Sequence, residues 1–243
     1  ASGKTAIEDH FDSTFELFET LRKREKLEAL KLVQHIIPKN VRITATRQHE
    51  PKGLGHAIWC AKNIVGNEPF AVILPDDLLW PKTHQKDSAL KQMMQLFNKT
   101  GQNIVLSENV DLEKTSRYGI LDLLAEENQA TKPLKIKGFV EKPEPAVAPS
   151  TFAIVGRYIF QPEIFDLLEN QEPDQSGEIQ LTDSMDKLAK KGDFAGYIHQ
   201  GHRFDCGSKV GFQEANLFFA LQNSDIAPHL KRYFYQLEQQ EAS

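Results

Sequence analysis

Phe70-Ala71-Val72-Ile73-Leu74-Pro75-Asp76-Asp77 is the stretch from which the fold can be read. Five apolar residues in unbroken series fit a strand buried on both faces of a parallel sheet. A proline and two acids then stop it. In open α/β sheets, ligands collect beyond the carboxyl ends of the strands. An acid at that position can hold Mg²⁺, which takes one or two carboxylates together with substrate phosphates. The competing reading of Asp76 and Asp77 is an ordinary cap or turn, where Asp is common.

Working outward, the same alternation recurs. Residues 88–98 read as a helix and residues 103–106 as a second buried strand, which makes an α/β sheet with right-handed crossovers. Upstream, Gly53-Leu54-Gly55 breaks into a short helix at 57–64. Residues 41–46 alternate apolar and polar, as a half-buried strand should. Ile7, Phe11, Phe15, Phe18 and Leu21 recur at helical spacing within a long helical region over 5–37, ended by Pro38. Downstream the character changes. Residues 118–123, 134–141 and 152–160 are strand-like with no long helix between them, which implies a mixed or antiparallel edge. Helices return at 162–169 and 178–190, a short strand at 195–199, and closing helices at 210–221 and 228–241. No repeat or linker divides the chain, and residues 143–149, though proline-rich, are short enough for a loop.

The bulk numbers set limits. The chain has 243 residues, 40% hydrophobic and 26% charged, an ordinary globular balance able to bury a core. Its net charge of −5 argues against a protein that grips nucleic acid backbones, but not against a small phosphorylated ligand. No stretch approaches the ~20 apolar residues of a membrane span. Ala1-Ser2-Gly3-Lys4 is followed by no apolar signal-peptide core. Cys60 and Cys206 form no CxxC pair and stand at no zinc-finger spacing. Two reduced thiols in a cytoplasmic protein are the expectation.

Three further strings carry chemistry. Phe204-Asp205-Cys206-Gly207-Ser208-Lys209 places an acid, a glycine and a lysine just before a helix. A helix N-terminus favours anions, Lys209 adds a point charge, and Asp205 is a candidate second metal carboxylate; a plain N-cap is the alternative. Phe139-Val140-Glu141-Lys142-Pro143 ends a strand on a carboxylate and a lysine, which point to opposite faces. The carboxylate suits sugar hydroxyls and the lysine a phosphate, or the two form a surface ion pair. Pro143 biases Lys142 towards an extended backbone. Gln48, followed by Lys52-Gly53-Leu54-Gly55-His56-Ala57, offers a donor and an acceptor to a uracil edge, with a glycine that lets backbone approach a flat base. As a bare GxG it lacks the rest of a dinucleotide fingerprint.

These strings, in this order, resemble one family, the bacterial UTP–glucose-1-phosphate uridylyltransferases. The resemblance runs through Ile7-Glu8-Asp9-His10-Phe11-Asp12, KGLGHA (52–57), VILPDD (72–77), VEKP (140–143), AIVGRY (153–158), GEIQLTD (177–183) and DCGSKVG (205–211). It implies a single sugar-nucleotidyltransferase domain over 1–243 with a Rossmann-like, mixed but mainly parallel sheet flanked by helices. It implies that Gln48 and Gly53 read uracil, that Asp76 and Asp205 hold Mg²⁺, and that Gly119 and Glu141 meet the sugar. Lys142 would contact the sugar phosphate and Lys209 would lie near the phosphates. Asp77 departs from a commonly apolar position and is expected to matter little. UTP and glucose-1-phosphate are the implied substrates, and the long terminal helices suit a homo-oligomer.

One departure is large. The glycine-rich GxGTR…PK loop of the family's first βαβ unit is absent from the sequence. The domain is therefore expected to be N-terminally truncated. Beside the uridylyltransferase reading stand an inactive fragment or regulatory paralogue that binds without turnover, and a thymidylyltransferase of the same fold.

Overall fold

The computed structural model describes residues 5–12, 15–82, 87–124 and 133–241; Ala1-Ser2-Gly3-Lys4 lies outside them. The core is a six-stranded sheet of β1 (Phe70–Ile73), β6 (Phe152–Phe160), β3 (Asn103–Asn109), β7 (Phe194–Ile198), β5 (Leu134–Glu141) and β4 (Gly119–Leu123), in that spatial order. Ile104, Val105 and Leu106 on β3 are all fully buried. Val105 packs into one apolar cluster while Ile104 and Leu106 pack into the other. Alternation along a single strand therefore builds two cores, one on each face of the sheet. On the first face, α8 (Leu181–Ala189) lays Leu181, Met185 and Leu188 against β5 together with α7 (Ile164–Glu169). On the second, α6 (Ala89–Thr100) buries Met93. Ser88 caps α6 by accepting from the Lys91 N–H, and Gly101 at φ 70° ends it in the left-handed conformation that glycine adopts without strain.

The sheet is mixed, as expected, but it is not mainly parallel. Among the described strands only β3 and β7 pair in parallel. β6 runs antiparallel to β1, to β3 and, at one position, to β4, and β5 runs antiparallel to β4 and β7. Parallel neighbours need a crossover of a dozen residues or more, and the described residues of 118–160 include no long helix to supply one. Nor are all of these strands peripheral: β6 lies between β1 and β3 and β5 between β7 and β4, with β4 last in the order. β1 itself is a sheet edge with Ile73 52% exposed, not a strand buried on both faces.

A second, two-stranded ribbon escaped the sequence reading. β2 (Asp77–Pro81) pairs antiparallel with β8 (Gly201–Asp205), which sets Asp77 opposite Asp205. Its Trp80 and Phe204 pack on Phe218 and Phe219 of α9 (Lys209–Gln222); α10 (Ala227–Glu241) follows. At the other end, the helical region resolves into α1 (Thr5–Phe11), α2 (Phe15–Lys23) and α3 (Leu27–Gln34). Residues 41–46, expected as a strand, are exposed and belong to no sheet. The helix expected at 57–64 is two: α4 (Gly53–Trp59), which takes in the Gly-Leu-Gly, and α5 (Lys62–Val65).

Candidate functional site

The turn after β1 is held by an arginine. Arg157 donates from Nη1 to the carbonyls of Leu74 and Gly156, each at 2.7 Å, and from Nη2 to that of Asp77 at 2.6 Å. Burial lowers its pKa against the opposing charges of Asp77 and Asp76. Asp77 matters much more than its sequence suggested. It is 7% exposed, and its Oδ2 accepts from the Gly156 N–H at 2.8 Å while Oδ1 accepts from Arg203 Nε at 2.5 Å. Burial disfavours the charge on Arg203, but the hydrogen bond and charge of Asp77, together with Tyr118, more than offset it and raise its pKa. A buried charge survives only with such a partner. Asp77 and Arg203 thus bolt the β2–β8 ribbon to β6.

Asp77 is committed to the Gly156 N–H and Arg203, and Asp76 is not. Its carboxylate takes no hydrogen bond from any described residue, whereas its carbonyl accepts from the Cys206 N–H at 2.8 Å. Asp205 faces it from the end of β8. A Cβ placed on Gly207 would stand 3.1 Å from Asp205 Oδ1 and 3.6 Å from Asp76 Oδ2. Both carboxylates therefore border one small space that glycine leaves open. Asp205 Oδ2 accepts from the Tyr118 hydroxyl at 3.2 Å and from Arg117 Nη2 at 3.3 Å. The Tyr118 ring lies over the Arg203 guanidinium at 4.9 Å. Desolvation and then the charges of Asp205, Asp76 and Asp77 push the Cys206 thiol up, against thiolate formation. Among the described residues no cluster of three or more His, Cys, Asp or Glu side chains gathers. Two carboxylates with room between them fit a hard cation that takes its remaining oxygens from ligand and water.

From Asp76 a cavity of about 220 Å³ runs inward past Tyr118, Gly119, Glu141 and Thr182. Gly119 and Glu141 are register partners on β4 and β5. A Cβ on Gly119 would come 2.8 Å from Ile154 Cδ1 and 3.2 Å from Glu141 Oε2, so a larger residue there would fill the space beside the carboxylate. Glu141 Oε2 accepts from the Thr182 hydroxyl at the start of α8. Lys142 Nζ lies 3.6 Å from Glu141 Oε1 with its side chain 58% exposed. Its φ of 44° is not the extended backbone that Pro143 favours. The Lys142 N–H donates to the Tyr118 carbonyl at 3.1 Å, and that tie overrides the local preference.

Gln48 and Gly53 come together at the start of α4. Gln48 Nε2 donates to the Gly53 carbonyl at 3.0 Å. Gly53 has φ 84°, and its neighbours are held to Ile179 by the pairs Gly55 N–H to Ile179 carbonyl (2.9 Å) and Ile179 N–H to Lys52 carbonyl (2.8 Å). The next residue, Leu54, lines the cavity. Lys209 is set apart. It begins α9, is exposed, and does not border the cavity. Sequence reasoning missed Arg157, Arg203, Tyr118 and Thr182; the first and last lie within strings already singled out, AIVGRY and GEIQLTD.

The family model for nucleotidyl transferases matches residues 10–222. The chain is 44% identical over 227 residues to the UTP–glucose-1-phosphate uridylyltransferase of Bacillus subtilis (strain 168), covering 93% of this chain and 75% of that protein. It superposes with TM-score 0.86 and 36% identity on the UTP-bound UGPase from Acinetobacter baumannii, over 97% of this chain and 80% of the other. It also matches a UDP-glucose pyrophosphorylase complexed with UDP-glucose at TM-score 0.79 and 39% identity, over 92% and 79%.

Proposed function

The chain belongs to the family of bacterial UTP–glucose-1-phosphate uridylyltransferases, and from that membership we propose that it transfers the uridylyl group of UTP to glucose-1-phosphate, giving UDP-glucose and pyrophosphate. The observation that carries this reading is the Asp76 carboxylate, unpartnered among the described residues and bordering the same small space as Asp205, in a cavity that Gly119 and Glu141 also line.

A phosphate oxygen of glucose-1-phosphate attacks the α-phosphorus of UTP, a P–O bond forms, and the bond to the β-phosphate oxygen breaks in line. The attacking phosphate is already ionised near neutral pH, so no general base is needed. Positioning and charge neutralisation remain as the work. Asp76 and Asp205 would hold Mg²⁺, which supplies charge neutralisation at the reacting phosphates. Glu141, steadied by Thr182, accepts from glucose hydroxyls, and the absent side chain of Gly119 admits the ring. Lys142, mostly exposed and bound only loosely to Glu141, is free to turn to the sugar phosphate. Gln48 and Gly53 meet the uracil. Lys209, on the first turn of a 14-residue helix, adds positive potential towards the pyrophosphate.

A glycine-rich βαβ unit, which residues 1–243 do not contain, completes the triphosphate wall in this reading. Ile73, 52% exposed on the edge strand β1, supports it; the upstream coding sequence reads it out directly. Tyr233, Tyr235 and Leu237, exposed on α10, support a homo-oligomer, which a monomer in sedimentation would overturn. The free Cys60 and Cys206 support a cytoplasmic setting, which localisation of a tagged protein checks. Among the described residues no helix is long and apolar enough to cross a membrane.

The test is turnover with UTP and glucose-1-phosphate, with dTTP as competitor. Asp76→Asn and Lys142→Ala should each lower kcat by roughly 10²–10³, the usual loss for one stabilising group at a transferring centre. Near-normal turnover of either variant would remove that residue from its role.

A further inference from the structure

We propose that His56 sets the base preference of this site by locking the orientation of the Gln48 amide. The inference rests on the reading of Gln48 as the base-facing residue and adds to it a chemical class of base.

The argument starts from what each atom can do. Gln48 Nε2 lies 3.0 Å from the Gly53 carbonyl and 3.0 Å from His56 Nδ1. A carbonyl only accepts, so the end of the amide beside Gly53 must be the NH₂. One of its hydrogens goes to Gly53. The other points at Nδ1, which must then be the bare, accepting nitrogen of the ring. The ring proton accordingly sits on Nε2, which faces Cys60 Sγ at 4.0 Å. Which nitrogen of a histidine carries the proton follows from the bonds around it, and here the chain of bonds leaves one solution.

The ring is also held in place. It stacks on Trp59 with centroids 5.8 Å apart and planes 20° from parallel. The start of α4 beneath it is pinned through Gly55 and Lys52 to Ile179. Both amide hydrogens of Gln48 are thereby used inside the protein. Its Oε1 accepts from no described residue and is the group left to meet a ligand.

An amide free to flip can offer either a donor or an acceptor. This one can offer only an acceptor. Uracil and thymine present a ring N3–H donor on their pairing edge, whereas cytosine presents a bare N3 acceptor there. The locked amide pairs with the first and confronts the second oxygen to nitrogen, both electron-rich, with neither hydrogen to share. A site built to hydrogen-bond one partner rejects its unpaired analogue strongly. His56 touches no substrate in this account. It is a positioning residue, and the ligand class it selects is nucleotides whose base carries a ring N–H: uridine and thymidine nucleotides over cytidine nucleotides.

The experiment measures binding of UDP-glucose and CDP-glucose by calorimetry to the wild-type protein, His56→Phe, His56→Asn and Gln48→Ala. His56→Phe keeps a ring on Trp59 but removes the acceptor, and His56→Asn keeps an acceptor near the position of Nδ1. The preference for UDP-glucose should fall about tenfold or more in the Phe variant, with most of the change in tighter CDP-glucose binding, and return towards wild type in Asn. A Phe variant with unchanged preference, while Gln48→Ala loses affinity for UDP-glucose, would overturn the role of His56 and leave Gln48 as the base reader. Unchanged affinity in Gln48→Ala, or a wild-type protein with no preference or no binding, would remove the base-reading role and this inference with it. Nitrogen NMR of the wild-type imidazole needs no variant. The Nε2–H tautomer is expected, and an Nδ1–H tautomer ends the proposal even if His56→Phe fails to fold.

Discussion

Two strands of the sheet end on a pair of adjacent charged residues, and the two pairs divide their labour differently. After β1 come Asp76 and Asp77; at the end of β5 come Glu141 and Lys142. In the first pair the second member is buried and bound to Arg203 and the Gly156 N–H, while the carboxylate of the first takes no hydrogen bond from any described residue. In the second pair the first member is steadied by Thr182, and the second is mostly exposed on a left-handed backbone. One member of each pair is thus held by a distant side chain while the other keeps its charged end freer. Which one anchors is decided by what stands on the buried side. At β1 that is an arginine 126 positions away; at β5 it is a threonine 41 positions away.

The comparison breaks most sharply at the buried pair. Arg203→Ala strands the Asp77 carboxylate, 7% exposed, without its partner. Removing one member of a buried pair typically costs about 3–5 kcal/mol, and chemical denaturation should show a loss of that size. Because Arg203 also underlies Tyr118 and so Asp205, the concentration of divalent cation needed for half-maximal turnover should rise as well. A variant that unfolds as wild type would show that the pair does not anchor the ribbon.

At β5 the corresponding break is milder. Thr182→Val removes the hydroxyl that Glu141 accepts from, at a residue only 7% exposed. A hydrogen bond to a charged group is worth about 1.5–3 kcal/mol, but Glu141 can still turn to solvent in the open cavity. A stability loss near the low end is expected, with KM for glucose-1-phosphate raised several-fold and KM for UTP unmoved. An equal change in both KM values would mean that Thr182 supports the whole site and not the sugar end.

The strand ends were legible in the sequence because a carboxylate following an apolar run is a local pattern. Asp76 and Glu141 were found that way, Gly119 only through the resemblance to the family, and the structure brings all three to one cavity. The division within each pair was not legible, since it depends on Arg203, Arg157 and Thr182, whose contacts are distant in sequence. Alternation also misled at residues 41–46, whose pattern matches that of β5. Leu134 and Ile136 are 2% exposed because β7 and α8 stand against them, whereas Val41 and Ile43 are 46% and 49% exposed with no strand alongside. A period of two states which residues share a face; only a neighbour turns that face into a sheet. The parallel expectation failed for a related reason. Apolar runs report burial, but direction is fixed by the connections, and those of 118–160 are too short to cross over.

Lys142 offers the finest separation, because its backbone and its charge make opposite demands. A non-glycine residue at φ 44° costs on the order of 1–3 kcal/mol, and the following proline further restricts the conformations open to it. The Lys142 N–H bond to the Tyr118 carbonyl holds the strained turn in place and does not involve the side chain. Lys142→Gly therefore keeps that bond and relieves the strain, while glycine loses roughly 0.5–1 kcal/mol more chain entropy on folding. The balance is a gain of about 1 kcal/mol, read as a higher denaturation midpoint with an unchanged slope. The same variant deletes the ammonium, so turnover should fall as it does in Lys142→Ala, which lacks the compensating gain. A more stable and less active Lys142→Gly protein would show a strained residue kept for its side chain. A protein destabilised by glycine would instead show that the left-handed turn imposes no cost here, and that the two strand ends differ only in burial.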